Sequence, residues 1–175
     1  MRAILRFVKY ILITITLASS QFAVAYLLPS PWNRINSIFI VLVLLLLMSE
    51  TGLVIWLAFA THFFVELYAA TPFGTILFSS TVGMLATFWL YQYFFTNKSW
   101  YTALAVSGMS LVFYRLLYVT LLLVLHGAGV VPTIPWGILG IRVLEEILST
   151  VSITAFLAFL TIRRPATPAA SLFFR

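Results

Sequence analysis

The 175-residue chain is 63% hydrophobic and 8% charged, with a net charge of +6, which leaves too little polar surface to coat a soluble globule, where about a quarter of residues are charged. Its four acids are all Glu, and it contains neither Asp nor Cys, so disulfides, thiolate metal sites, cysteine nucleophiles and aspartyl-type intramembrane proteolysis are excluded together. The ten basic residues sit mainly at the chain ends and in one short loop, a placement that membrane orientation explains and nucleic-acid binding does not.

In chain order, Arg2, Arg6 and Lys9 precede an apolar run from Ile11 to Leu28. Ala23-Val24-Ala25 has the form of a signal-peptide cleavage site, but the apolar run continues past it through Tyr26, Leu27 and Leu28, so retention as a first transmembrane helix is expected. Pro29 to Arg34 reads as a turn, with Trp32 suited to the headgroup interface. From Ile35 to Tyr68 the chain is almost continuously apolar; as one helix it would extend roughly 50 Å, far beyond a hydrocarbon core of about 30 Å. Ser49-Glu50-Thr51-Gly52 therefore divides it into a short second span, 36–48, and a third, 53–69. The second is short enough either to cross or to dip in and return.

Thr71-Pro72-Phe73-Gly74 closes a tight hairpin into the fourth span. Proline lacks an amide donor and biases its predecessor away from helix, and glycine takes backbone angles other residues resist. The fourth span, 73–95, ends in the aromatic girdle Phe88 to Phe95; the fifth covers 101–125; and after a Gly/Pro-rich loop from His126 to Gly137, containing Trp136, the sixth covers 138–162. The expected architecture is an all-α integral membrane protein, one domain over residues 1–175 built as a six-helix transmembrane bundle. With the N-terminus inside, Arg2, Arg6, Lys9, Lys98, Arg163, Arg164 and Arg175 fall on the cytoplasmic side against Arg34 and Arg142 opposite, an asymmetry that assigns both termini to the cytoplasm.

A charge within hydrocarbon costs about 2.5 kcal/mol or more, so each one should face the bundle and have a partner. At about 1.5 Å rise per residue, Glu66 and Arg142 lie at matched depths near the outer end, and Arg115 lies deeper, near the level of Glu145 and Glu146. The depths allow Glu66 to pair with Arg142, and Arg115 to meet Glu145 or Glu146. Arg142 also faces both of those acids on its own helix. An ionic cluster in the outer half, linking helices three, five and six, is the expectation. Such pairs ordinarily fix helix packing; a polar substrate site or an anionic-lipid contact is the functional alternative. His62 and Glu66, four residues apart on one helical face, have the spacing to ligate a metal or relay a proton, but two ligands fall short of the three or four that zinc normally requires. No metal or cofactor is expected.

Enzyme motifs fail. There is no His-Glu-x-x-His. Glu145-Glu146 has the acid pair of glutamic-type membrane proteases but Thr150 where those would want Arg, and Gly108-Met109-Ser110 lacks the second glycine of a serine elbow. Small residues at Thr81, Gly83 and Ala86 and at Ala103, Ala105, Ser107, Gly108 and Ser110 mark close helix packing or a groove for a partner helix.

The succession of a basic start, Asn33 before a Leu-rich second helix, Glu66 ahead of Thr71-Pro72-Phe73-Gly74, the loop Phe95-Thr96-Asn97-Lys98-Ser99, Tyr114-Arg115 and a closing Arg163-Arg164 resembles the MreD family of rod shape-determining membrane proteins. Glu66 stands where that family more often carries Asp, and Arg115 where an acid is expected, which implies a rewired charge network. The resemblance implies a non-enzymatic scaffold subunit of the peptidoglycan elongation machinery in the bacterial cytoplasmic membrane, beside an MreC-like bitopic protein and cell-wall synthesis enzymes. The family is also similar in fold to the S components of energy-coupling-factor vitamin transporters, which makes a solute-binding membrane subunit the alternative; fold alone does not choose between them.

Overall fold

The computed structural model describes residues 2–30, 32–95 and 99–162. Most of the Phe95 to Ser99 loop, including Lys98, and the closing Arg163, Arg164 and Arg175 lie outside the described residues. Those described form six α-helices joined by short turns: α1 (Arg2–Leu27), α2 (Ser37–Ser49), α3 (Leu53–Leu67), α4 (Thr75–Phe94), α5 (Trp100–Gly127) and α6 (Trp136–Ile162), with a single 3-10 turn at Trp32–Arg34. Three helical stretches, Val8–Leu27, Trp100–Gly127 and Trp136–Thr161, are long and apolar enough to cross a membrane.

The chain itself sets the helix ends. α2 stops where Glu50 takes a left-handed conformation, φ 53°, and its N–H returns to the Leu46 carbonyl at 2.9 Å, an αL cap that satisfies one of the terminal carbonyls. α3 and α4 are joined by the Pro72–Gly74 turn: the Pro72 carbonyl accepts from both the amide and the hydroxyl of Thr75, at 3.2 and 2.7 Å, and Gly74 sits at φ 96°, where a side chain would be strained. The boundaries that differ most from the sequence-based expectation are the start of α1, at Arg2 against the expected 11, and the two ends of the α5–α6 connection. α5 runs on through His126, and α6 begins at Trp136, so the connecting loop is shorter than 126–137. The reason is local: Gly129 at φ 75° lets the Val130 amide fold back to the Leu125 carbonyl, while the His126 ring nitrogen Nδ1 donates to the Val131 carbonyl at 2.7 Å. Trp136 thus opens a helix instead of decorating a loop.

α2 is the hub. Its residues Ile38, Phe39, Leu42, Val43 and Leu46 are fully or almost fully buried, and an apolar helix with no polar face belongs inside a bundle. It packs against α1, α3, α5 and α6. At 13 residues it is about 20 Å long, shorter than a hydrocarbon core of about 30 Å. The outward surface of the bundle is apolar and aromatic, with Trp56, Phe78, Trp89, Leu116 and Phe156 exposed.

α4 approaches α5 closely at Gly83. A Cβ there would lie 3.0 Å from the Tyr114 amide nitrogen and 3.1 Å from its Cα, both backbone atoms that cannot swing aside. At Gly108 the nearest atom would be a Val151 methyl at 4.0 Å, an ordinary contact. Gly83→Ala is therefore expected to destabilise the protein by about 1–3 kcal/mol, the usual cost of overpacking, while Gly108→Ala is neutral or slightly stabilising. Thermal unfolding in detergent measures both; equal midpoints for the two variants would remove the close approach.

Candidate functional site

The α1–α2, α3–α4 and α5–α6 connections share one end of the bundle. There α2 starts far below the top of its neighbours. Its N-cap, Asn36, is level with Glu146 and Thr150, and α6 continues above that level from Glu145 up to Trp136, about 15 Å at 1.5 Å per residue. The recess is a polar vestibule of about 230 Å³ to which all six helices contribute, from Gln21 on α1 to His62 on α3, Ile76 on α4 and Arg142 on α6.

Glu146 lies at its floor, 4% exposed. Its Oε1 accepts from Asn36 Nδ2 at 2.9 Å, and its Oε2 accepts from Arg115 Nε at 2.6 Å and from Nη2 of the same guanidinium. Both nitrogens converge on one oxygen, leaving the other for Asn36. The guanidinium also lies over two rings, 4.8 Å from the Tyr114 centroid and 5.3 Å from that of Tyr118, favourable cation–π positions. Asn36 is as fully used: Oδ1 accepts from the Phe39 amide at 3.2 Å, capping α2, and its own amide donates to Thr150 Oγ1 at 3.0 Å. One carboxylate thus ties the start of α2 to the middles of α5 and α6.

Above this floor Arg34, in the 3-10 turn, forms an ion pair with Glu145. Gln21 completes the seam between α1 and α2, its Oε1 accepting from the amide and hydroxyl of Ser37 at 2.8 and 2.9 Å.

The structure distributes the six candidate residues as follows. Arg115, Glu146, His62 and Arg142 line one vestibule. Glu66 does not pair with Arg142: its Oε2 instead accepts from the Leu77 amide at 2.5 Å, in the first turn of α4. The physical reason is proximity. The Pro72–Gly74 turn folds the free amides at the start of α4, with their partial positive charge, back beside the end of α3. Glu145 does not meet Arg115, since Arg34 takes it, and Arg142 makes no ion pair with any described residue. His62 is buried, its Nδ1 donating to the Ala58 carbonyl at 2.9 Å and its ring packed 5.5 Å from Phe39 and 6.2 Å from Tyr114. Among the described residues no three His or Glu side chains gather as a metal site.

Arg34, Asn36, Gln21 and Thr150 belong to this network and were not among the candidates. Asn36 carried the one readable signal, a cap-forming residue directly before a long apolar run.

Comparison with protein-family models, with curated proteins and with solved structures finds no match.

Removing one partner of a buried pair leaves an uncompensated charge and costs about 3–5 kcal/mol. Arg115→Met is expected to lose that much. Adding Glu146→Gln, which removes the stranded charge and keeps an oxygen for Asn36, restores a large part of it. Arg34→Met, at a pair whose side chains are 26% and 34% exposed, is expected to cost less. Equilibrium unfolding of the wild type, Arg115→Met, Glu146→Gln, their double variant and Arg34→Met is the measurement; additive losses for Arg115→Met and Glu146→Gln would mean the two side chains are not coupled.

Proposed function

We propose that this chain is a multi-pass protein of the bacterial cytoplasmic membrane, crossing six times with both termini in the cytoplasm, and that it serves as a non-enzymatic scaffold of the machinery that elongates the peptidoglycan wall. The membrane placement is supported by the apolar shell and the three long apolar helices, and the orientation by the excess of basic residues on the side of the termini. In this orientation the vestibule opens to the outer face.

The observation that carries the scaffold reading is that the protein's own groups hold three of its carboxylates. Glu146 is satisfied by Arg115 and Asn36, Glu145 by Arg34, and one oxygen of Glu66 by a backbone amide. Groups held this way fix the mutual positions of α2, α5 and α6. The resemblance to the MreD family supplies the machinery: an MreC-like bitopic protein and cell-wall synthesis enzymes as partners.

The vestibule favours a second reading. Several polar and aromatic groups, among them His62, Tyr114 and Arg142, converge on one cavity, as a small-solute site requires. A solute-binding transporter subunit has that feature, although at about 230 Å³ the cavity has room only for a small solute.

Purification of tagged protein from its native membrane in mild detergent, with mass spectrometry of co-purifying proteins and small molecules, separates the two. An MreC-like protein and wall-synthesis enzymes are expected. Recovery of an ATPase with coupling subunits, or of a stoichiometric vitamin, would replace the scaffold by the transporter subunit.

A further inference from the structure

The vestibule holds a basic group, Arg142, that has no ion-pair partner among the described residues. Arg34, Arg115 and Arg142 line it together with Glu146, and of the two acids within a helical turn of Arg142, Glu145 is taken by Arg34 and Glu146 by Arg115. Arg142 has the i, i+3 and i, i+4 spacing to pair with both and pairs with neither. Glu66 is not among the vestibule's lining residues, and its carboxylate is turned to the Leu77 amide. The lining residues themselves therefore carry one more guanidinium than they pair, and Arg142, which is exposed to solvent, is free to draw a counter-ion.

The remaining groups suit an anion. A guanidinium presents five donors in a planar fork, and Arg115 commits only Nε and Nη2 to Glu146, leaving Nη1. At about 230 Å³ the space has room for roughly eight waters at about 30 Å³ each, below the roughly 300 Å³ at which pockets for drug-sized molecules begin. It has room for a phosphate or carboxylate with a few attached atoms, and not for a large cofactor. Arg142 is itself exposed, as are its neighbours Ile138 and Ile141 on the apolar surface of α6, so such a group can arrive from water or on a lipid headgroup.

We infer that the vestibule is a binding site for a single phosphate or carboxylate group, held by the Arg142 guanidinium above the Arg115–Glu146 pair. The site goes beyond the scaffold reading and does not depend on it, since its loss leaves the recovery of partner proteins unchanged.

The test uses the purified full chain and native mass spectrometry in two arms. In the first, protein in neutral detergent is titrated with inorganic phosphate and with acetate. In the second, it is reconstituted into nanodiscs of phosphatidylcholine alone or with phosphatidylglycerol and then released. One saturable anion per chain is expected in at least one arm: a free anion in the first identifies a soluble ligand, and retained phosphatidylglycerol in the second a lipid headgroup. Arg142→Gln should weaken that binding at least tenfold, and Arg142→Lys, which keeps the charge and loses the fork, by less. Lys9→Gln, on α1 at the other end of the bundle, should have no effect. Because Arg142 makes no ion pair with a described residue, Arg142→Gln should keep the wild-type thermal midpoint. Absence of saturable binding in both arms, or equal binding by Arg142→Gln, overturns the site.

Discussion

A single buried carboxylate sets the geometry of this protein. Glu146 accepts from Arg115 on α5 and from Asn36 at the head of α2 while itself standing on α6. Inside an apolar bundle hydrophobic burial does not distinguish one helix rotation from another, because lipid and protein are equally apolar. Two charges that must be paired do distinguish them. The pair fixes the facing sides of α5 and α6, and the Asn36 branch fixes how deep α2 sits. Cation–π contacts with Tyr114 and Tyr118 extend the constraint, and the position of Tyr114 rests in turn on the absence of a side chain at Gly83.

The recessed α2 follows from that anchorage. Its N-terminus is held at the level of Thr150 by the Asn36 amide and tied to α1 through Gln21 and Ser37. The connection from α1 must then descend into the bundle, taking Arg34 with it, and Arg34 finds Glu145. A vestibule walled by longer helices is the result. The same constraint thus produces a polar recess among the described residues through which the protein can meet something other than lipid or another helix. A scaffold role and an anion site are compatible outcomes of that single arrangement.

Six helices were legible in the sequence because the breakers are strong: Pro72 and Gly74, the polar run Ser49 to Gly52, and the glycines and prolines after His126. The involvement of Arg115 and Glu146 was legible too, since charges within apolar segments demand partners. Depth was not. Hydropathy places a turn at the membrane surface by default, so Arg34 reads as an external loop residue although it sits beside Glu145, nine residues into α6. The partner of Glu66 was hidden for a different reason. It is the backbone amide of Leu77, and every residue but proline has one, so no side-chain pattern announces it. The persistence of α5 through His126 depends on the positive φ of Gly129 and on a ring-to-carbonyl bond, details finer than composition. The fold's spacing of apolar runs survives translation into sequence; the pairing of individual polar atoms does not.

The anchorage of α2 can be tested directly because the chain has no cysteine of its own. Asn36 and Thr150, 114 residues apart, are joined by a hydrogen bond from the Asn36 amide to Thr150 Oγ1 at 3.0 Å, which brings the two backbones within reach of a disulfide. The measurement is oxidation of Asn36→Cys/Thr150→Cys in native membranes, read as loss of both free thiols and a reducible shift in gel mobility, with Ser49→Cys/Thr150→Cys, which moves one thiol to the opposite end of α2, as control. The result expected is near-complete cross-linking of the first pair and little of the second. Equal cross-linking of the two pairs, or none in the first while both thiols remain reactive, would contradict a start of α2 anchored at the middle of α6.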